Sequence, residues 1–379
     1  MGAVRHPAAR RPHICFFSGD ITRSGGTERA GAAIANALAG TDRFRVSFLS
    51  MFEEHGAPFF AIDGRVGRDA LYGGPVRGVW RYAATCARLR RAVLRRRVDV
   101  LVDIDGILDM YALAVKPLTG VRVVSWEHFN YLMHPDVPYR AITRRLAARA
   151  ADAIVVLTEA DRAMYERHGG LRCPVVVIPN PMSPADPEPV YDAGSRILLS
   201  AGRLSAQKGF DLLVDVAARV LPSRPQWRWV VLGEGEDRPM LERRIAQAGL
   251  SRQVLLPGRC DAAGMDRHYR GAALFVLTSR FEGLPMVLLE AKAHRVPIVA
   301  FDCPTGPRDI VRDGVDGRLS PPGDVEGMAR ALGALMDDPS TRLRYVARAL
   351  DPDHTERYDE REIGRRWIDV LSRVMEGDR

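Results

Sequence analysis

The thirteen residues Ser279-Arg280-Phe281-Glu282-Gly283-Leu284-Pro285-Met286-Val287-Leu288-Leu289-Glu290-Ala291 set two carboxylates around the start of one helix. Upstream, residues 271–278 form a short apolar run rich in strand formers, and Gly283 and Pro285 then punctuate a turn into an apolar, periodic segment. The spacing predicts a strand, a tight loop and a helix, with Glu282 ahead of the helix and Glu290 inside it. Eight residues at about 100° each make two turns and roughly 80° more, so Glu290 faces broadly the side on which the Glu282 loop lies. Two acids so placed can line a cleft. A solvated loop glutamate beside a helix-face ion-pair partner fits the same spacing.

The alternation continues on both sides of this stretch. Arg196–Gly202 reads as a strand, Arg203–Asp211 as a loop, and a helix runs on to about Val220. Arg203 and Lys208 flank that helix start. A guanidinium offers a flat fork to phosphate oxygens and an ammonium a compact charge, so with the helix dipole they can neutralise a diphosphate without a metal. Lysine occurs only at 116, 208 and 292, against a strong preference for arginine elsewhere. Residues 229–233 and 254–258 are further strands, the second leading into Arg259. A helix is expected over Asp266–Ala273, a strand over Val296–Ala300, a glycine-proline loop into a helix at Cys303–Ile310, and an amphipathic helix at Trp367–Met375.

The first half has the same grammar. His13–Ser18 is a strand that runs through Gly25 and Gly26 into an alanine-rich helix, and glycines there let backbone N–H groups approach a phosphate or a substrate oxygen. Gly25-Gly26-Thr27-Glu28-Arg29 lacks the spacing of a dinucleotide fingerprint, which excludes an NAD site on this loop. Residues 45–50 and 98–104 read as strands, with a helix over 79–97 between them and an irregular stretch over 53–78. Val121–Trp126 is a strand opening into Glu127-His128-Phe129-Asn130, at the sheet edge where ligands bind in open parallel sheets; His128 can donate to a sugar hydroxyl or a leaving phosphate, with Glu127 orienting it. Asp103-Ile104-Asp105 has the form of a divalent-metal motif, yet it ends a strand far in sequence from Arg203 and Lys208, and we read it as a strand-to-loop acid pair.

Composition narrows the classes. At 379 residues the chain suits two domains, and its apolar content is that of a globular protein. Apolar runs are too short for a membrane span or a signal core, which predicts a cytoplasmic protein. Five scattered cysteines without a CxxC pair argue against a disulfide frame or a zinc site. The net charge of +8 is uneven: 26 basic and 19 acidic residues precede position 191, and 29 and 28 follow it. Much of the excess sits at Arg88, Arg90, Arg91, Arg95, Arg96 and Arg97, with a second set at Arg140, Arg144, Arg145 and Arg149. The Arg88–Arg97 set can form a face drawn to an anionic inner-membrane surface, or an ordinary solvated face. Its lack of interleaved aromatics and of any nucleic-acid module excludes nucleic acid as a partner.

The string from Glu282 to Glu290 resembles the Glu-x7-Glu signature of the retaining glycosyltransferases of family four. Gly25-Gly26-x-Glu28-Arg29, Ile178-Pro179-Asn180 and the Gly202-Arg203-x-x-x-x-Lys208-Gly209 loop resemble the same family, so the likeness extends from His13 onward. It implies an α/β protein of the GT-B class, with two Rossmann-like domains whose parallel sheets face a cleft. The boundaries are a disordered 1–12, an N-terminal acceptor domain at 13–180, a linker at 181–194, a nucleotide-sugar domain at 195–350, and a C-terminal helical segment at 351–379 that packs back on domain one.

By that resemblance Arg203 and Lys208 stabilise the leaving diphosphate, and Glu282 with the Gly283 and Leu284 amides holds the donor sugar. Glu290 binds the ribose, the backbone at Arg259 reads the base, Gly25 and Gly26 approach the substrate, and His128 reaches the donor from the other domain. The implied reaction moves a sugar from a nucleoside diphosphate, UDP foremost, to a hydroxyl of a glycan or lipid-linked acceptor of a bacterial surface polysaccharide. It proceeds with retention and with no metal or cofactor. A sugar-nucleotide epimerase, a phosphorylase and a non-catalytic scaffold share the architecture; the first needs no acceptor, the second needs a cofactor lysine that the sequence does not reveal, and the third has no use for Arg203, Lys208, Glu282 and Glu290.

Overall fold

The computed structural model describes residues 10–76, 80–132, 139–168, 170–182 and 191–377. The chain divides into two units, Met1–Pro181 with Glu360–Arg379, and Met182–Asp359. Residues 183–190, the middle of the expected 181–194 linker, lie outside the described residues, as do residues 1–9 of the expected disordered 1–12. The change of unit falls at Pro181/Met182. The return falls at Asp359/Glu360, so residues 351–359 stay with the second unit, where a single returning segment from 351 was expected.

The first unit holds seven parallel strands in the order β3-β2-β1-β4-β5-β6-β7. These are β1 (His13–Ser18), β2 (Arg45–Ser50), β3 (Gly67–Ala70), β4 (Val100–Ile104), β5 (Arg122–Trp126), β6 (Ala153–Val156) and β7 (Val175–Val177). Helices α1 (Gly26–Gly40), α2 (Arg81–Arg96), α3 (Asp109–Thr119), α4 (Arg140–Ala150) and α5 (Glu159–His168) connect them. Every residue of β1 and β4 is buried, as a strand covered by helices on both faces requires. Cys15 and Phe17 join a core with Leu89 and Val93 of α2 and Tyr111 and Ala112 of α3. On the opposite face Phe16 meets Phe48 and Trp126.

The second unit has six parallel strands in the order β10-β9-β8-β11-β12-β13. They are β8 (Ile197–Ala201), β9 (Arg228–Leu232), β10 (Val254–Gly258), β11 (Leu274–Leu277), β12 (Ile298–Phe301) and β13 (Gly317–Ser320). Around them lie α6 (Phe210–Val220), α7 (Arg238–Gln247), α8 (Ala262–Gly271), α9 (Met286–Ala293), α10 (Pro307–Ile310), α11 (Val325–Asp337), α12 (Pro339–Arg348) and α13 (Pro352–Thr355). α8 begins four residues before the expected helix, because the Asp261 carboxylate caps it by accepting from the Gly264 N–H at 2.7 Å.

The last helix, α14 (Glu360–Glu376), belongs to the first unit and packs on α1. Its anchor is Trp367, fully buried, 4.7 Å between ring centroids from Trp126 and 6.3 Å from Phe16. Truncating a tryptophan at such depth costs about 3 to 5 kcal/mol, enough to fix a single helix on its unit.

Both sheets reverse direction once, between β1 and β4 and between β8 and β11. At such a switch point the helices that follow the two neighbouring strands lie on opposite faces of the sheet, and ligands bind outside the carboxyl ends of those strands, at the loops that leave them. In the second unit those loops are residues 202–209 and 278–285.

Candidate functional site

The loop after β8 carries Arg203 and Lys208, and the loop after β11 carries Glu282. Hydrogen bonds zip them together: the Arg280 N–H donates to the Gln207 carbonyl at 2.9 Å, the Thr278 hydroxyl to the Lys208 carbonyl at 3.1 Å, and the Gln207 side-chain amide to the Phe281 carbonyl at 3.2 Å. The Arg280 fork grips both oxygens of Asp211, in the first turn of α6, at 2.7 and 2.6 Å, and holds that carboxyl below the usual range. Gly209 sits at the crossing with φ +62°, where a Cβ would fall 2.2 Å from the Thr278 carbonyl oxygen. No other residue permits that approach without moving the backbone.

This bracing brings two of the expected residues into contact. Lys208 Nζ donates to Glu282 Oε1 at 2.7 Å, and the Ser279 hydroxyl donates to the same oxygen at 2.6 Å. Glu282 is buried, while the Lys208 side chain stays one-fifth exposed. An ammonium has three N–H donors, so Lys208 keeps capacity for an oxyanion. Beneath Glu282 the Thr305 hydroxyl donates to its carbonyl at 2.5 Å. Gly306, at φ +94°, lets that neighbouring loop pass where a Cβ would lie 2.5 Å from Pro285. The Gly283-Leu284-Pro285 turn is thereby buried and fixed.

Arg203 is exposed at the same loop and has no hydrogen-bond or ion-pair partner among the described residues. Glu290 lies buried on α9 as the spacing predicts, but its environment differs from that of Glu282: Oε2 accepts from the Tyr269 hydroxyl at 2.8 Å, and Tyr269 itself stacks on His294 at 4.9 Å. Arg259 is exposed just past the end of β10. Ser279, Tyr269 and Thr305 are the residues sequence reasoning missed. Ser279 stands three positions before Glu282 and was open to inference; Tyr269 and Thr305 are brought in by the fold alone.

In the first unit Gly25 is the extended N-cap of α1 and Gly26 its first residue. His128 lies past the end of β5 with its ring 4.4 Å from Trp126, and its Nε2 is buried without a hydrogen-bond partner among the described residues. Burial lowers its pKa to about 3, so the imidazole is neutral at physiological pH. Glu127 does not orient it. The Glu127 carboxylate instead accepts from Arg144 Nε at 2.7 Å, from Arg140 at 3.1 Å and from the Phe129 N–H at 3.1 Å. Burial alone would raise its pKa, but Arg144 and Arg140 hold it below the usual range. Arg140 and Arg144 are thus buried partners of an acid and no part of a basic surface.

The Asp103–Asp105 pair is likewise divided. Asp105, at φ +82°, binds the Arg140 fork at 2.5 and 3.2 Å. Asp103 is fully buried against Asp109, and burial with that like charge raises its pKa strongly. Among the described residues no group of three His, Cys, Asp or Glu is arranged to hold a metal ion.

Two parallel, doubly wound units, with a lysine–glutamate pair at the switch point of the second, have the architecture of the GT-B class. Residues 24–186 match the family model described as Glycosyltransferase Family 4, and residues 186–351 the model described as Glycosyl transferases group 1. Similar curated proteins include an uncharacterized glycosyltransferase of Haemophilus influenzae, 28% identical over 94% of this chain and 99% of its own. The amylovoran biosynthesis glycosyltransferase AmsD of Erwinia amylovora is 27% identical over 93% and 97%. The alpha-D-kanosaminyltransferase of Streptomyces kanamyceticus is 30% identical over 69% and 73%. Among solved structures, HepE of Anabaena in complex with UDP-glucose superposes with a TM-score of 0.75 at 18% identity, over 95% of this chain and 99% of that one. The chain belongs to the family-four glycosyltransferases.

Proposed function

We propose that the protein moves a sugar from a nucleoside diphosphate, UDP foremost, to a hydroxyl of a lipid-linked or growing bacterial surface glycan, with retention at the anomeric carbon and without a metal. The contact between Lys208 and Glu282 at the β8/β11 switch point carries the reading. A cation and a carboxylate held together by two zipped loops suit the two ends of the bond that breaks in a sugar nucleotide.

Lys208 and Arg203, beside the start of α6, take the charge that grows on the leaving diphosphate; such preorganised electrostatic stabilisation is usually the largest catalytic contribution. Glu282 and the buried Gly283-Leu284 turn hold the sugar, Glu290 the ribose, and the chain at Arg259 the base. Departure and attack use the same face of the sugar, with the leaving phosphate oxygen as base. His128, neutral, serves as a hydrogen-bonding ring. Two of the similar proteins support the substrate classes: HepE was solved with UDP-glucose, and AmsD serves the biosynthesis of a polysaccharide, amylovoran.

Calorimetric titration with UDP, GDP and ADP in EDTA, on the wild type and on Lys208→Ala, tests the reading. UDP binding that survives chelation and weakens in the variant is expected. Binding that requires a metal and ignores Lys208 sinks the phosphate assignment.

A further inference from the structure

The outer side of α2, α3 and α4 in the first unit is both basic and apolar, and sugar transfer uses none of it. α2 and α4 contain no carboxylate, and the one acid of α3, Asp109, is buried. These helices pack side by side, with Leu89, Val93, Tyr111, Ala112, Ala147 and Ala148 turned to the cores. Their other sides therefore share one surface.

On that surface Arg90, Arg91 and Arg95 of α2 and Arg145 and Arg149 of α4 are exposed, and none has a hydrogen-bond or ion-pair partner among the described residues. Several exposed arginines elsewhere in the unit do find acids, Arg10 with Asp99, Arg65 with Asp63 and Arg122 with Asp152, while others such as Arg45 and Arg172 have no ion-pair partner among the described residues; what distinguishes this face is that its unpaired arginines are grouped. At the margins Asp69 and Asp152 are already held, by Arg96 and by Lys116 with Arg122. The expected Arg88–Arg97 set is corrected accordingly. Arg88 turns over the Tyr72 ring and donates to the Leu71 carbonyl, and Arg96 pairs with Asp69, so neither is a free cation.

Large aliphatics stand among the free arginines: Leu94 (46% exposed), Leu118 (61%), Ile142 (58%) and Leu146 (45%). On α4, Ile142, Arg145, Leu146 and Arg149 follow the i, i+3, i+4, i+7 spacing of one helical stripe. Leu94 and Leu118 line an open groove of about 720 Å³ between α2 and α3. Unpaired cations alone match any polyanion. Cations interleaved with bare aliphatics match a surface that has phosphates outside and hydrocarbon just beneath.

We propose that the α2–α3–α4 face docks on an anionic lipid bilayer, with the five arginines at the headgroup phosphates and Leu94, Leu118, Ile142 and Leu146 at the acyl boundary. The proposal is independent of the sugar-transfer reading, and its test contains no nucleotide.

The full-length protein is sedimented with phosphatidylcholine vesicles with and without phosphatidylglycerol. The variants are Arg90→Gln/Arg91→Gln/Arg95→Gln, Leu94→Ser/Leu118→Ser, and a charge-matched control in the second unit, Arg243→Gln/Arg252→Gln/Arg330→Gln. All the altered side chains are exposed, so melting temperatures should stay put. Binding should require the anionic lipid, fall with salt, drop about 100-fold in the first triple variant, and persist in the control. Equal partition to neutral vesicles, or equal binding of wild type and the first triple variant, overturns the proposal. So does a Leu94→Ser/Leu118→Ser variant that binds like wild type while duplex DNA displaces the protein at equal phosphate, since the face would then be a generic polyanion site.

Discussion

Lys208→Met and Glu282→Gln, made singly and together, interrogate the contact on which the functional assignment rests. Methionine keeps an unbranched apolar stem and removes the ammonium that sits 2.7 Å from Glu282. The glutamate, 6% exposed, is then left with the Ser279 hydroxyl. Stranding one partner of a fully buried pair costs about 3 to 5 kcal/mol, but Lys208 is one-fifth exposed and water screens the pair, so about 1 to 3 kcal/mol is expected for Lys208→Met. Glu282→Gln should cost less, because its amide oxygen still accepts from both donors. The double variant should recover part of the Lys208→Met loss, for no uncompensated carboxylate remains.

Urea unfolding of the four proteins gives the coupling, and UDP titration of the same four separates support from binding. If Lys208 touches the diphosphate, its loss weakens UDP about 10- to 100-fold, as losing a charged hydrogen bond does, and does so in the Glu282→Gln background as well. Single effects that add to within about 0.5 kcal/mol would show the pair to be uncoupled. Equal UDP affinity for Glu282→Gln and the double variant would refute a phosphate role for Lys208 and leave it a strut.

Tyr269→Phe removes the hydroxyl that donates to Glu290 at 2.8 Å and keeps the ring stacked on His294. UDP affinity should fall about 10-fold or more with little change in melting temperature, and an equal loss for UDP and for inorganic diphosphate would count against a ribose role for Glu290. Burial separates His128 and Asp109 in their response to pH. His128 is lowered from 6.5 to about 3, so between those values the unfolded chain holds a proton the folded chain lacks; stability is lost as pH falls, by at most about 1.4 kcal/mol per pH unit, and His128→Asn should flatten that slope. Asp109, raised by burial from 3.8 to about 7, acts oppositely: its contribution is lost as pH rises from about 4 to about 7, and Asp109→Asn should relieve that loss. Urea unfolding across this pH range checks both, and slope changes of the same sign would contradict the burial of one of them.

What the sequence made legible follows from how periodic each segment is. β1, β4 and β8 are runs of consecutive apolar residues ending at glycine or polar loops, and all were read within two residues. β3 was missed because Gly67-Arg68-Asp69-Ala70 is a polar edge strand, held by its ladder to β2 and not by buried side chains. α3 was missed for another reason: Pro117 in its last turn reads as a breaker, yet the helix continues to Thr119 although the proline supplies no N–H to the Leu113 carbonyl. Glu127 was misassigned because sequence adjacency to His128 suggested a partner, whereas successive residues of an extended chain face opposite ways and Glu127 meets α4. The basic runs were counted as surface because charge says nothing of depth; Arg140 and Arg144 are buried and Arg145 and Arg149 are not, a division set by which side of α4 meets the core.

The same logic explains why the Lys208 loop and the first glutamate were readable one by one but not as a pair. They stand 74 residues apart, and nothing in either string names the other. What joins them is strand order. Were the second sheet to run in chain order, β8 would neighbour β9 alone, and the loop after β11 would lie across the sheet from Lys208. Because the order reverses at β8, its other edge is free to take β11 directly, with Leu274 opposite Leu198 and Phe275 opposite Leu199. Two strands in that register end side by side, so the loops after them must touch, and Gly209 removes the one Cβ that would keep them apart. The Lys208–Glu282 contact is therefore a property of topology before it is one of side chains, and a bulky residue at Gly209 should disrupt it as thoroughly as removing either charge.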